Sequence, residues 1–308
     1  RVIGLTATPY RLDSGRLDQG EGRVFHAIAY EITIATLLSG GYLAPLISKA
    51  TLARYDVTGV AQRGGEYIAD ALQSAVDDPE TTAAVVAELA TLGAARQKWL
   101  MFCAGVAHAE HMAEALTAAG FPAAAVHGGL PTDERSARLG ALRNGTLRAL
   151  TNCDVLTTGY DEPSIDLLAL CRPTASTGLH VQMIGRGFRT APGKTDCLVL
   201  DFAGNCLRHG PIDAITIRDP KKKRDGAAPA KECPSCQEIV ATATRVCPRC
   251  AHAFPPPAPV QLAPAALLAP VLSHEKLPPR WVDVTRVEYH RHVNPEKPLP
   301  TLRVDYYY

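Results

Sequence analysis

Gln182-Met-Ile-Gly-Arg186-Gly-Phe-Arg189 is the stretch on which the fold reading turns. Its apolar and small residues predict a helix over residues 180–188 that begins just ahead of the motif. Gln182, Arg186 and Arg189, spaced four and three residues apart, then share one helical face. Two guanidiniums on one face near a helix N-terminus make a site for the terminal phosphate of a nucleotide held across a cleft. An arginine so placed stabilises charge during phosphoryl transfer. Taken alone, the pair also reads as two solvated arginines flanking a helix.

Around this segment, short apolar runs alternate with helix-period stretches from Arg1 to about Ala203. Residues 2–5, 99–103, 123–126, 147–151, 167–170 and 197–201 read as strands. Residues 32–38, 68–76, 81–92, 107–118 and 132–142 have apolar residues at helical spacing, with Gly120 as the cap of the fourth. Strand alternating with helix predicts an α/β protein whose parallel sheet is covered on both faces. The formal net charge of +1 leaves partner choice to local patches. The most apolar late stretch, Val260 to Leu272, is broken by Pro264 and Pro270 and falls short of a membrane span. The chain opens on Arg1-Val-Ile-Gly-Leu5, which reads as a buried strand already under way and predicts a portion of a longer protein.

Gln182-x-x-Gly185-Arg186-x-x-Arg189 resembles motif VI of the superfamily 2 helicases of the DEAD/DEAH type. Other segments follow that family in order. Gly4 to Pro9 is similar to motif III, Met101 to Ala104 to motif IV, Val126-His127-Gly128 to the next short motif, and Leu150 to Asp161 to motif V. Residues 181–212, with Asp201-Phe-Ala-Gly-Asn205 and His209-Gly-Pro-Ile212, resemble the bacterial RadD (YejH-like) branch. The resemblance covers residues 1 to about 215. It implies the end of a first RecA-like motor domain over 1–35 and a RecA-like (P-loop NTPase type) helicase C-terminal domain over 36–217. It also implies ATP with Mg2+ as the nucleotide and DNA as the track. On the same ground Arg186, Arg189, Gln182 and Asp161 are expected to be catalytic, and Thr6, Thr8 and Gly159 to couple nucleotide to motion. Thr157, Thr158, Phe102, Ala104, His127 and Gly128 are expected to contact nucleic acid. Hydroxyls and a close backbone approach suit phosphate contacts that carry no sequence information. Read without the resemblance, Gly159 is a turn glycine, Asp161 an N-cap before Pro163, and Thr6 and Thr8 are strand-end threonines.

After Ile217 the composition changes. A basic linker (218–230) contains Lys221-Lys-Lys-Arg224, which reads either as a solvated tether or as added phosphate contacts. Cys233-x-x-Cys236 and Cys247-x-x-Cys250 follow, with Pro234 and Pro248 at matching places. Two such pairs grip one tetrahedral Zn2+ through thiolates, and four cysteines leave no open catalytic position. A structural zinc ribbon over 231–255 is therefore expected. The other five cysteines lie in apolar surroundings, which suits a reducing cytoplasm. A Pro-rich linker (256–279) precedes a β segment (280–308), in which Val287 and Tyr289 alternate, then Leu302, Val304 and Tyr306. Its basic and aromatic residues suit stacking on single-stranded nucleic acid, partner binding, or packing on the motor.

No Gly-x-x-x-x-Gly-Lys-[Ser/Thr] loop occurs, and no acidic box precedes residue 6. The chain is thus expected to hold half of an ATP site and to lack ATPase activity by itself. The expected function is a DNA helicase or translocase in repair or recombination, meeting other DNA-repair proteins. Two alternatives are the motor of a restriction-type translocase and a non-enzymatic zinc-ribbon adaptor with a vestigial motor fold.

Overall fold

The computed structural model describes residues 2–6, 9–11, 15–20, 23–157, 159–210, 212, 230–255, 285–292 and 301–307. It forms two compact units, Arg1–Pro256 and Pro257–Tyr308. The first opens with a small antiparallel pair, β1 (Tyr10–Arg11) and β2 (Gly15–Arg16), then helix α1 (Ile34–Ser39) and strand β3 (Leu46–Lys49). A second small pair, β4 (Gln62–Arg63) and β5 (Glu66–Tyr67), leads into α2 (Ala69–Val76) and α3 (Pro79–Leu92). Next come β6 (Trp99–Cys103), α4 (Val106–Ala118), β7 (Ala123–His127), α5 (Thr132–Arg143), β8 (Ala149–Cys153) and β9 (Leu167–Cys171). The unit closes with α6 (Thr177–Gly185), β10 (Cys197–Asp201), α7 (Asn205–His209), β11 (Ala230–Glu232) and β12 (Ile239–Ala241).

Six strands pair in parallel in the order β3-β10-β9-β6-β8-β7. Strands β6, β8, β9 and β10 are buried at every position, as expected of parallel strands covered on both faces. Their side chains divide by the pleat. Trp99, Met101, Leu167 and Leu198 face one apolar cluster with α2, α3 and α4. Leu100, Phe102, Leu168 and Val199 face a second with α5 and α6. The predicted α/β class and parallel sheet are present.

Three readings need correction. Residues 2–5 form no strand, and Val2, Ile3 and Leu5 are 84%, 89% and 97% exposed. An apolar run becomes a buried strand only where neighbours pair with it, and the six-stranded sheet does not extend to this one. Strand β8 starts two residues later than predicted, because Leu147 and Arg148 spend their N–H groups on Ala141 and Pro122 carbonyls in the connecting turn. Strand β3 was not anticipated; Leu-Ile-Ser-Lys is short and half polar, as befits a sheet edge. Among the described residues no helix is long and apolar enough to cross a membrane.

The second unit contains β13 (Arg286–His292) paired antiparallel with β14 (Thr301–Tyr307). This is the two-strand pattern predicted for the tail.

Candidate functional site

The arginine segment lies at the far end of its helix. Helix α6 starts at the Ser176 cap, whose hydroxyl accepts from the Leu179 N–H at 3.1 Å, and it is over by Gly185. Arg186 occupies the C-cap and Arg189 lies beyond the turn. The expectation of a helix N-terminus is therefore overturned: the local backbone offers carbonyls, which favour cations, and not amides aimed at an anion.

Those cations converge on the loop after β8. Arg186 donates from Nη1 to the Tyr160 carbonyl at 2.5 Å and from Nη2 to the Thr157 carbonyl at 2.9 Å. Arg189 donates to the same Tyr160 oxygen at 2.6 Å and pairs with Asp161 at 2.7 Å. The Arg186 Nε is buried without a hydrogen-bond partner. Burial and the neighbouring Arg189 push the Arg186 pKa down, with Asp161 opposing, although a guanidinium stays charged. The Arg189–Asp161 pair is open to solvent, with the Asp161 side chain 72% exposed. Gln182 is half-buried one turn before Arg186.

The loop itself is held from below. Asn152 donates to the Met101 carbonyl at 2.7 Å and accepts from the Leu156 N–H at 3.4 Å. Gly159 adopts φ +74°, a left-handed conformation that penalises any side chain, and a Cβ there would meet only open space. A residue the sequence reading passed over, Lys194, donates to the carbonyls of Pro163, Gly187 and Arg189 at 3.1, 2.8 and 2.7 Å. It ties both arms of the junction together, and burial pushes its pKa down. One lysine in a Pro-Gly-Lys turn carries no sequence signal for that role.

The structure brings Arg186, Arg189 and Asp161 together, and it disperses much of the expected nucleic-acid set. Phe102 and Ala104 are 1% and 4% exposed, and the Ala104 N–H donates to His108. Their side chains face the core and cannot meet a strand. The Thr157 hydroxyl turns inward to the Asp154 carbonyl at 3.3 Å, so its backbone oxygen, not its hydroxyl, serves the site. His127 ends β7 with its Nε2 3.4 Å from Glu110, and its Nδ1 is buried without a partner. Gly128 follows with almost nothing within 4 Å of an added Cβ. Thr6 is exposed. Thr8 and Thr158 lie outside the described residues.

The four cysteines form a second site. The Sγ atoms of Cys233, Cys236, Cys247 and Cys250 all lie within 4.8 Å of one another, with Cys233–Cys250 at 3.6 Å and Cys236–Cys247 at 3.7 Å. A tetrahedron with ~2.3 Å metal–sulfur bonds has sulfurs ~3.8 Å apart, so the set fits Zn2+. The two halves repeat one backbone design. Gln237 and Ala251 donate to the carbonyls of Cys233 and Cys247 at 2.9 and 3.0 Å, at φ +61° and +58°. The thiols divide their protons unequally: the His252 N–H and the neighbouring thiols pull Cys250 down to about 6, while, against a backbone bond from Glu238, burial and the same thiols push Cys236 up to about 12.

Residues 81–191 match the family described as helicase conserved C-terminal domain. A 51.5 kDa protein of a Lactococcus phage is 27% identical over 261 residues, covering 82% of this chain and 56% of that protein. The candidate mitochondrial ATP-dependent helicase irc3 of Schizosaccharomyces pombe is 31% identical over 208 residues, covering 67% of this chain and 33% of that protein. Its Saccharomyces cerevisiae counterpart, the candidate ATP-dependent helicase IRC3, is 28% identical over 220 residues, with 70% and 31% covered. The chain thus spans about a third to just over half of these relatives. Among solved structures, a fragment of a candidate HsdR subunit of a type I restriction enzyme from Vibrio vulnificus aligns with TM-score 0.52 at 23% identity, over 70% of this chain and 42% of that one. That likeness concerns the fold. The parallel sheet and these matches agree: residues 81–191 carry a helicase C-terminal domain, and the chain has the RecA-like helicase C-terminal fold.

Proposed function

We propose that this chain supplies the second half of the ATP site, and part of the nucleic-acid track, of an ATP-dependent DNA helicase or translocase in the RadD-like branch, working in DNA repair or recombination. The observation that carries the reading is the shared Tyr160 carbonyl, where Arg186 and Arg189 both bond to the loop that bears Gly159 and Asp161. Bound ATP with Mg2+ supplies the phosphoryl group whose transfer drives such a motor. Within this chain the two arginines have separate tasks. Arg186 is a strut whose charge rests on two carbonyls. Arg189 is the group free to exchange partners, because an exposed ion pair is worth little and a phosphate oxygen can replace the Asp161 carboxylate at small cost. Gln182 lies beside them on the preceding turn. Residues 1–35 belong, on this reading, to the end of a first motor domain. The four thiolates hold one structural Zn2+, and the reduced cysteines suit the cytoplasm.

The test is Arg189→Ala in the intact protein. DNA-stimulated ATP hydrolysis should fall by about three orders of magnitude or more, while circular dichroism stays as in the parent and melting falls by only a few degrees. Undiminished turnover would remove Arg189 from the reaction.

A further inference from the structure

Strand β3 is one of the two edges of the parallel sheet, and the cysteine ribbon lies against it. On its inner side β3 pairs with β10. On its outer side the Ser48 N–H and hydroxyl donate to Glu238 Oε1 at 3.3 and 3.0 Å, and the Ala50 N–H donates to the Gln237 carbonyl at 2.9 Å. Gln237 and Glu238 directly follow the first cysteine pair. Gln237 is bonded back to Cys233, and Arg249, inside the second pair, donates to Glu238 Oε2 at 3.2 Å. The next residue, Ile239, lines an apolar cavity of about 220 Å³ with Leu46, Ile184 and Phe188, and an Arg54–Glu232 ion pair joins the two parts again.

At its other end β3 meets the arginine segment. The Ala44 N–H donates to the Phe188 carbonyl at 2.7 Å. Gly187 sits so close to β3 and β10 that an added Cβ would lie 3.0 Å from Leu46 and 2.9 Å from Cys197. An unbroken series of hydrogen bonds and packed atoms therefore runs from the cysteines through Glu238 and β3 to the residues between Arg186 and Arg189.

We propose that the metal-loaded ribbon is a brace on the motor sheet, with Glu238 as its positioning residue. Holding the metal fixes Gln237 and Glu238, these fix the edge strand, and the edge strand fixes Gly187 and Phe188 between the two arginines. The proposal rests on reading the four cysteines as a metal site. It assigns that site a second task beyond keeping the ribbon folded. A bare sheet edge is also a template for unwanted pairing, so the brace protects the edge as well.

The experiment measures amide exchange residue by residue in the chain as purified, after zinc removal, and in Glu238→Ala, with metal content determined for each. Zinc removal should speed exchange at Ser48 and Ala50 about tenfold or more, and should also speed it at Ala44, which bonds to Phe188. Glu238→Ala should keep its zinc, lose protection at Ser48 and keep it at Ala50, and Glu238→Gln should restore Ser48. A ribbon that merely folds on its own confines every change to residues 230–255. Metal-bound protein whose Ser48, Ala50 and Ala44 exchange is the same with and without zinc overturns the brace alone. Protein that binds no zinc at all overturns the metal reading, and the brace with it.

Discussion

Replacing Arg186 or Arg189 by alanine should cost the fold unequal amounts, and the structure says which loss is larger. Arg186→Ala removes both bonds from Arg186 to the loop and leaves the Thr157 carbonyl, in a residue only 7% exposed, without its donor. The Tyr160 carbonyl keeps Arg189. An orphaned buried acceptor costs ~1–3 kcal/mol, and the second, shared bond adds part of ~1 kcal/mol, so the expected loss is about 2–3 kcal/mol. Arg189→Ala leaves Tyr160 bonded to Arg186, so its own bond to that oxygen likewise adds part of ~1 kcal/mol, and it removes an ion pair whose carboxylate is 72% exposed, worth ~0–1 kcal/mol, for an expected loss of about 0.5–1.5 kcal/mol. For a unit of this size ~1 kcal/mol shifts Tm by ~2–4 °C. Thermal melting of the chain, followed by circular dichroism, should therefore place Arg186→Ala about 4–12 °C below the parent and Arg189→Ala about 1–6 °C below it. Arg186→Lys should recover part of the loss, since an ammonium reaches one of the two carbonyls more easily than both. If Arg189→Ala melts at or below Arg186→Ala, the division into strut and exchangeable partner is wrong.

Two further outcomes follow from single residues. Gly159→Ala should destabilise by ~1–2 kcal/mol through backbone conformation alone, because φ is +74° and the space around a Cβ is open; Gly159→Asn should cost less, and equal denaturation midpoints for parent and alanine variant would contradict this. His180 is fully buried against His209, both its ring nitrogens lack partners, and burial lowers its pKa to about 3, as it lowers that of His108 to about 4. The unfolded chain takes up these protons near pH 6.5 and the native chain does not, so stability present above pH ~6.5 should fall as the pH drops toward about 4. His180→Phe should flatten that slope in denaturant titrations at pH 7.5 and 5, and an unchanged slope would mean His180 takes no part in it.

The fold was legible where burial is uniform. Residues 99–103, 167–171 and 197–200 are continuous apolar runs, and a strand buried on both faces needs nothing else to declare itself. It was illegible where identity depends on a partner. Leu46–Lys49 becomes a strand because β10 lies on one side and Glu238 and Gln237 lie on the other, nearly two hundred residues away in sequence. Val2, Ile3 and Leu5 have the composition of a buried strand and here lack the neighbours that would make one.

The candidate site shows the same division at the scale of atoms. Spacing put Gln182, Arg186 and Arg189 on one helical face, and the helicase resemblance added Asp161; the structure sets Arg186, Arg189 and Asp161 side by side through the turn after the helix and the loop after β8. Spacing is silent on where the helix stops, so it misassigned the arginines to an amide-rich start when they sit past a carbonyl-rich end. It also could not tell a hydroxyl turned inward, as in Thr157, from one turned out, or a core Phe102 from a contact residue. The oxygen at the centre of the junction belongs to a backbone carbonyl, and every residue has one. Because the Tyr160 carbonyl accepts from both arginines, a shift of the loop by a hydrogen-bond length disturbs both contacts. Arg186 is also held at the buried Thr157 carbonyl, whereas the further partner of Arg189 is an exposed carboxylate, so Arg189 is the less firmly held of the two. Which arginine is held more firmly is thus set by burial, which no motif encodes.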